Sequence, residues 1–247
     1  MDWHKRFVQQ ATWTNELRAY LFKRTGMEKA RRVLEVGCGT GAILVDLTTP
    51  AAIHALDREP TRLMETCIHA AQAILTCGDA VSLPYDSGIF DITFCHFLLL
   101  WVNDPLEALR EMKRVTCPGG NVLALAEPDY DAREDKPDVL APLGRWQAVA
   151  LRHQGADPGL GVRLAGLFHA AGIPLIETGC LRMGRKSPPT QAEWELEWAV
   201  LETDLAGLIS AKELMRLKRL DEEAWLRDER VLNVPTYFAW GQIAPMV

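Results

Sequence analysis

Residues 33 to 41 read Val-Leu-Glu-Val-Gly-Cys-Gly-Thr-Gly, a short apolar strand running into three glycines. Few folds accept that arrangement. Glycine reaches backbone angles closed to other residues, and it lets the main chain lie against a ligand where any Cβ would intrude. Directly after a strand, such a loop is the usual opening of a nucleotide or nucleoside site in an α/β sheet. An acid, Glu35, sits two residues before the first glycine.

The rest of the chain supports a mainly parallel sheet, because short apolar strands alternate with helical patterns. Strands are predicted at Val33 to Val36, Ile53 to Leu56, Ile74 to Cys77, Phe90 to Cys95 and Asn121 to Ala126. Helices are predicted at Ala42 to Thr48, Pro60 to Ala71 and Pro105 to Val115. The last carries Leu106, Leu109, Met112 and Val115 on one side. Beyond residue 130 the rhythm changes. Pro137 to His153 and Gly159 to Ala171 read as helices, the second closed by Gly172. Ile173 to Thr178 and Thr236 to Gln242 read as strands, and Thr190 to Arg230 as a strongly helical run. The expected division is one domain over 1–247. Residues 1–28 form an N-terminal helical cap, 29–183 and 233–247 the sheet core, and 184–232 a helical insertion that covers the substrate.

Net charge is −6 over 247 residues, with no Lys/Arg cluster beyond short pairs such as Arg31 and Arg32. A protein that grips phosphate backbones usually shows a basic face, so no nucleic-acid partner is expected. The longest apolar run, Ile92 to Val102, is too short to span a bilayer, and the first residues lack an apolar signal region. A cytoplasmic protein without a membrane partner is expected, as monomer or homodimer. The six cysteines lack paired spacing, so reduced, mostly buried thiols are expected and no metal site.

The glycine loop fits two templates. Gly37, Gly39 and Ala42 match a dinucleotide fingerprint, while Gly37, Gly39 and Gly41 match Gly-x-Gly-x-Gly. Side chains alternate along a strand, so Glu35 shares an orientation with Gly37. A carboxylate there repels a pyrophosphate and favours a cationic nucleoside, for which S-adenosylmethionine is the obvious candidate. Asp57 ends the second strand and suits the two ribose hydroxyls. Asp79 ends the third and suits the exocyclic amine of adenine.

These segments together resemble the class I S-adenosylmethionine-dependent methyltransferases, most closely the small-molecule branch of quinone and natural-product methylation. The glycine loop is similar to their first motif, Ala55-Leu-Asp57 to their acidic motif, and Gly78-Asp79-Ala80 to their adenine-side motif. Leu83 to Asp86 with Phe90-Asp91-Ile92, and Arg114 to Gly120, resemble the stretches before their fourth and fifth strands. The resemblance implies a Rossmann-like sheet in the order 3-2-1-4-5-7-6 with strand 7 antiparallel. It implies that Glu35, Gly37, Cys38, Gly39 and Gly41 surround the methionine part of the cofactor. It also implies that Asp57 holds the ribose with Arg58 beside it, that Asp79 and Ala80 face the adenine, and that Cys95 and His96 pack the methionine end. Where the family often carries His-His or Leu-His, this chain has Leu100 and Trp101.

Methyl transfer from a sulfonium needs positioning and a dry cavity, and a base only if the acceptor must lose a proton. His96 and Glu127 are the candidate bases, with Asp129 and Tyr130 next in the turn. His153 and His169, on helices, read as solvated or structural. Trp194, Trp198, Leu201 and Leu205 form a stripe at helical spacing that is ordinary core more often than a ligand wall. Arg18, on the polar N-terminal segment, is a candidate partner for the methionine carboxylate. Oxygen is the expected acceptor atom by family frequency. The alternatives are a cofactor-binding protein without methyl transfer and, less favoured, an NAD-dependent oxidoreductase.

Overall fold

A computed structural model of the chain describes residues 2–182 and 188–245. Its strands, in chain order, are β1 (Arg32–Val36), β2 (Ala52–Asp57), β3 (Ile74–Cys77), β4 (Phe90–Cys95), β5 (Thr116–Pro128), β6 (Glu134–Lys136), β7 (Leu175–Leu181), β8 (Val231–Asn233) and β9 (Thr236–Gln242). Seven of them form one sheet in the order β3-β2-β1-β4-β5-β9-β7. β1 to β5 run parallel. β9 is antiparallel to both of its neighbours. That is the expected topology, with β7 and β9 as the sixth and seventh strands of the sheet. β6 and β8 pair separately as a two-stranded ribbon.

The helices are α1 (Trp3–Thr12), α2 (Asn15–Arg24), α3 (Pro60–His69), α4 (Pro105–Val115), α5 (Ala141–His153), α6 (Leu164–Ala170), α7 (Gln191–Asp204) and α8 (Ala211–Leu226). Local chemistry fixes α4. The Asp104 carboxylate accepts from the Glu107 amide at 2.9 Å and Pro105 opens the first turn. Leu109, Met112 and Val115 are then fully buried.

The sheet is covered on both faces, so its central strands bury apolar residues on both sides. Leu34 and Val36 face one core together with Leu109, Met112 and Phe168. Val33 faces the other, with Leu21 of α2, Leu63 of α3 and Trp240. Glu35 therefore points to the side that α1 and α2 cover. A third apolar cluster joins α5, α7 and α8 through Leu143, Trp198, Leu201, Leu205 and Leu217.

Two expected helices differ. Ala42 to Thr48 is no α-helix but a string of turns with one 3-10 turn at Leu44–Asp46. Gly41 leaves the glycine loop at φ +79°, and Pro50 and the start of β2 leave too few residues for a helix and a return. The run from Thr190 to Arg230 is two helices, broken where Gly207 takes φ +82° and Ser210 caps α8. The cysteines are all free, but only Cys38 and Cys95 are buried, while Cys67, Cys77 and Cys180 are exposed. They lie on helices and edge strands whose outer faces meet solvent. Among the described residues no helix is long and apolar enough to cross a membrane. The start of the expected insertion, 184–187, lies outside the described residues.

Candidate functional site

A cleft of about 720 Å³ opens at the carboxyl ends of β1, β2 and β4, within the usual size of a small-ligand site. Its floor is the glycine loop. Gly37 sits at φ +73°, and a Cβ there would come within 2.5 Å of the Leu98 side chain. The loop is fastened from both sides. The Gly37 and Cys38 amides donate to the Leu56 carbonyl, and the Thr66 hydroxyl of α3 donates to the Gly39 carbonyl at 2.8 Å.

The three acids stand in a staggered row. β1 and β2 pair Glu35 with Ala55, and β2 and β3 pair Asp57 with Cys77. Each acid thus lies farther out along the sheet edge than the last, and all three line the cleft. Glu35 is almost wholly buried, and its Oε2 has no hydrogen-bond partner among the described residues. Burial raises its pKa well above the usual carboxylate range. Arg18 opposes that shift and Asp57 adds to it. An unpaired buried polar atom costs about 1–3 kcal/mol, and more when it carries charge, so a cationic ligand group beneath the loop fits it. Asp57 accepts from the Gly39 amide at 2.8 Å with Oδ2 and from the Glu59 amide at 2.9 Å with Oδ1. Each oxygen keeps one lone pair for a ligand. Asp79 uses Oδ1 to hold the Val81 amide. Cys38, Gly39, Arg58, Ala80 and His96 also line the cleft.

Four expected site residues do not. Gly41 packs against Thr66 and Ala70 and closes the turn. Cys95 is fully buried at the end of β4, its thiol pushed up by burial and by Glu127. Arg18 is buried in the elbow between α1 and α2, donating to the Ala11 carbonyl, to Thr14 Oγ1 at 2.7 Å and to Asn15 Oδ1 at 2.5 Å. These three bonds go to its own helix pair, while its charge still acts on Glu35 and His96 at the cleft. Glu127 is fully buried behind the loop that comes after β4. Its Oε1 accepts from the Leu98 and Leu99 amides at 3.1 and 3.0 Å and its Oε2 from Leu100 at 3.3 Å. Burial outweighs these three donors and lifts its pKa to about 7. Such a carboxylate shapes the loop and does not reach the cleft.

His96 reaches the cleft wall, with Nε2 3.0 Å from Thr14 Oγ1. Burial, helped by the Arg18 charge, pushes its pKa down to about 3, so the ring is neutral across the physiological range. Phe97 beside it takes φ +53°, the left-handed region, a strain of roughly 1–3 kcal/mol that functional loops often hold. Its amide bond to the Ala126 carbonyl at 2.8 Å and the grip of Glu127 on the next three amides keep it there.

The far half of the cleft comes from the loops after β4 and β5, from α5 and from α7, which lies within the expected insertion. Trp101 stands in the loop after β4 and Tyr130 after β5, with Gln147 on α5, Gln154 at its C-terminal cap, and Val200 and Asp204 on α7. Trp194 and Trp198 are core, as the helical stripe suggested. Both indole N–H groups donate to Asp221 of α8, at 2.7 and 2.8 Å. Asp221 also binds Arg230, which binds Asp135, which binds Arg133. That buried network fastens α7 and α8 to the ribbon of β6 and β8.

The methyltransferase domain family matches residues 34–124. The chain is 30% identical over 234 residues to a malonyl-[acyl-carrier protein] O-methyltransferase of Erwinia billingiae, covering 92% of this chain and 85% of that protein. The chain belongs to the class I S-adenosylmethionine-dependent methyltransferases. It is a methyltransferase of the small-molecule type, and S-adenosylmethionine is its cofactor. The dinucleotide alternative is thereby set aside. A protein of the same description from Halorhodospira halophila is 36% identical over 99 residues, and the match spans 38% of this methyltransferase and 34% of the relative. The crystal structure of the [4+2]-cyclase SpnF shares the fold at a TM-score of 0.60 and 22% identity, over 94% of this chain and 81% of that one.

Proposed function

We propose that this methyltransferase methylates an oxygen atom of a small-molecule acceptor. The observation that carries the donor side is the buried, unpartnered Oε2 of Glu35 under the glycine loop. The donor's ammonium group supplies the missing partner, with Gly37, Cys38 and Gly39 around the methionine part. Asp57, with Arg58 beside it, takes the ribose hydroxyls, and Asp79 and Ala80 take the adenine. When bound, the cofactor supplies an electrophilic methyl group and departs as a neutral thioether.

The chain contributes position and exclusion of water. Neither candidate base is well placed for strong proton abstraction: His96 is too weakly basic, and Glu127 is turned away from the cleft. Trp3, Arg6, Phe7 and Gln10 of α1 and Val200 and Asp204 of α7 line the cleft from above, which supports the N-terminal segment (1–28) and the insertion (184–232) as its covers. Six unpaired thiols suit a reducing cytoplasm.

The O-methyltransferase relatives support oxygen as the acceptor atom. A second reading, cofactor binding without methyl transfer, draws on the weak basicity of the cleft and on the cyclase that shares the fold. Release of S-adenosylhomocysteine, measured over phenols, quinones, carboxylic acids, amines and thiols, separates the two. Tight binding of the cofactor with no turnover on any hydroxyl compound would favour the second.

A further inference from the structure

We infer that the acceptor is a flat, uncharged molecule bearing a hydroxyl, and that Asp204 is the residue that takes its hydrogen bond. This deepens the proposed oxygen methylation and rests on it. The far half of the cleft is walled by the aromatic rings of Trp101 and Tyr130, and Asp204 is the carboxylate set among them.

Asp204 is built to be met. Gln147 Nε2 donates to its Oδ2 at 3.0 Å, and Gln154 Nε2 donates to its Oδ1 at 3.0 Å. The Gln147 amide cannot turn round, because its carbonyl oxygen is held by the Arg133 guanidinium, itself fixed by Asp135. Each carboxylate oxygen is thus oriented by one neutral donor and keeps a lone pair for a ligand.

A merely structural role leaves half of this carboxylate's accepting capacity unused. Asp204 is the last residue of α7, where the helix carbonyls already gather negative charge, and no basic residue stands in that turn. The tether to Gln147 and Gln154 uses one lone pair on each oxygen. A lone pair on each remains for a ligand in the cleft, and the sign of the charge says what it takes. Among the described residues lining the cleft are six carboxylates and three arginines. Arg58 and Arg62 lie on the donor side. Arg6 is paired with Glu197 at 2.9 Å. A carboxylate acceptor would be repelled by Asp204, and a hydroxyl would donate to it.

Three matched compounds test this on the full chain by calorimetry, with and without S-adenosylhomocysteine: 2-naphthol, 2-methoxynaphthalene and 2-naphthoate. The naphthol should bind about tenfold or more tighter than the methyl ether, which lacks the donor hydrogen, and the naphthoate should bind weakest. In Asp204→Asn, which removes the charge and one of the two acceptor oxygens, the naphthol should lose part of that advantage and the naphthoate should gain. Naphthoate binding as well as naphthol, an unchanged ratio in the variant, or no naphthol binding at millimolar concentration overturns the proposal. The wild-type order stands without the variant, should that fail to fold. Failure to bind S-adenosylhomocysteine is a separate result. It would remove the donor assignment and leave the naphthol order to be read on the unliganded chain.

Discussion

The two halves of the cleft are made in opposite ways. The donor half is main chain and strand ends: three glycines, and three acids each within two residues of a strand terminus. The acceptor half is side chains brought together from distant helices, such as Gln147 and Asp204, 57 residues apart. A backbone-built site changes little without loss of the sheet itself. A site built from two helices and a loop can be re-specified by changing how those helices are held, so the same fold can keep its donor and exchange its acceptor.

The sharpest way to break this comparison is to loosen one half only. Asp221 holds two tryptophan indoles and Arg230 beneath α7 and α8. Asp221→Ala leaves Arg230 as a buried charge short of a partner, a change that typically costs about 3–5 kcal/mol. Thermal unfolding should fall accordingly, and acceptor turnover should drop. Affinity for S-adenosylhomocysteine, read by calorimetry under conditions where the variant is folded, should stay within about threefold of wild type. A parallel collapse of cofactor binding would show that the halves are one unit.

The donor half breaks at a smaller cost. Asp57→Ala removes the acceptor for the Gly39 and Glu59 amides as well as the ribose partner. Loss of a charged hydrogen bond is worth about 1.5–3 kcal/mol, hence about tenfold or more in cofactor affinity. Calorimetry showing unchanged affinity would place the ribose elsewhere.

The same division decides what the sequence disclosed. Glu35, Asp57 and Asp79 were legible because a strand fixes where its last residue points, and the glycines announced a ligand-bearing loop after the first of them. Glu35 and Glu127 look alike in sequence, each at or near a strand end, yet one faces the cleft and the other closes on three amides of the neighbouring loop. Only the tertiary path of residues 96–101 separates them. Arg18 was drawn to the cofactor by its charge, and the α1–α2 elbow takes three of its hydrogen bonds. Gln147 and Gln154 carry no chemistry that a sequence could flag. Asp204 left one signal, a carboxylate closing a helix that has no basic residue in its last turn. The absent helix after Gly41 was masked by a motif whose usual sequel is a helix, although Pro50 already limited the room.

Acidity offers the finest test, because the wall residue and the loop residue pull in opposite directions. His96 has its pKa depressed to about 3 in the folded chain, against about 6.5 when unfolded. From pH 3 to 6.5 the unfolded state holds the extra proton, so this group makes stability rise with pH. Glu127 has its pKa raised to about 7, against about 4.3 unfolded. From pH 4.5 to 7 the folded state holds the extra proton, so this group makes stability fall with pH. Each slope is at most about 1.4 kcal/mol per pH unit, and between pH 4.5 and 6.5 they offset one another. Chemical denaturation of the wild type should therefore show little pH dependence from this pair across that window. His96→Asn should leave the Glu127 slope exposed, with stability falling as pH rises from 5 to 6. Glu127→Gln should leave the His96 slope, with stability rising over the same interval. If both variants keep the wild-type profile, the two side chains are better solvated than their packing implies, and the loop after β4 is open where the structure shows it closed.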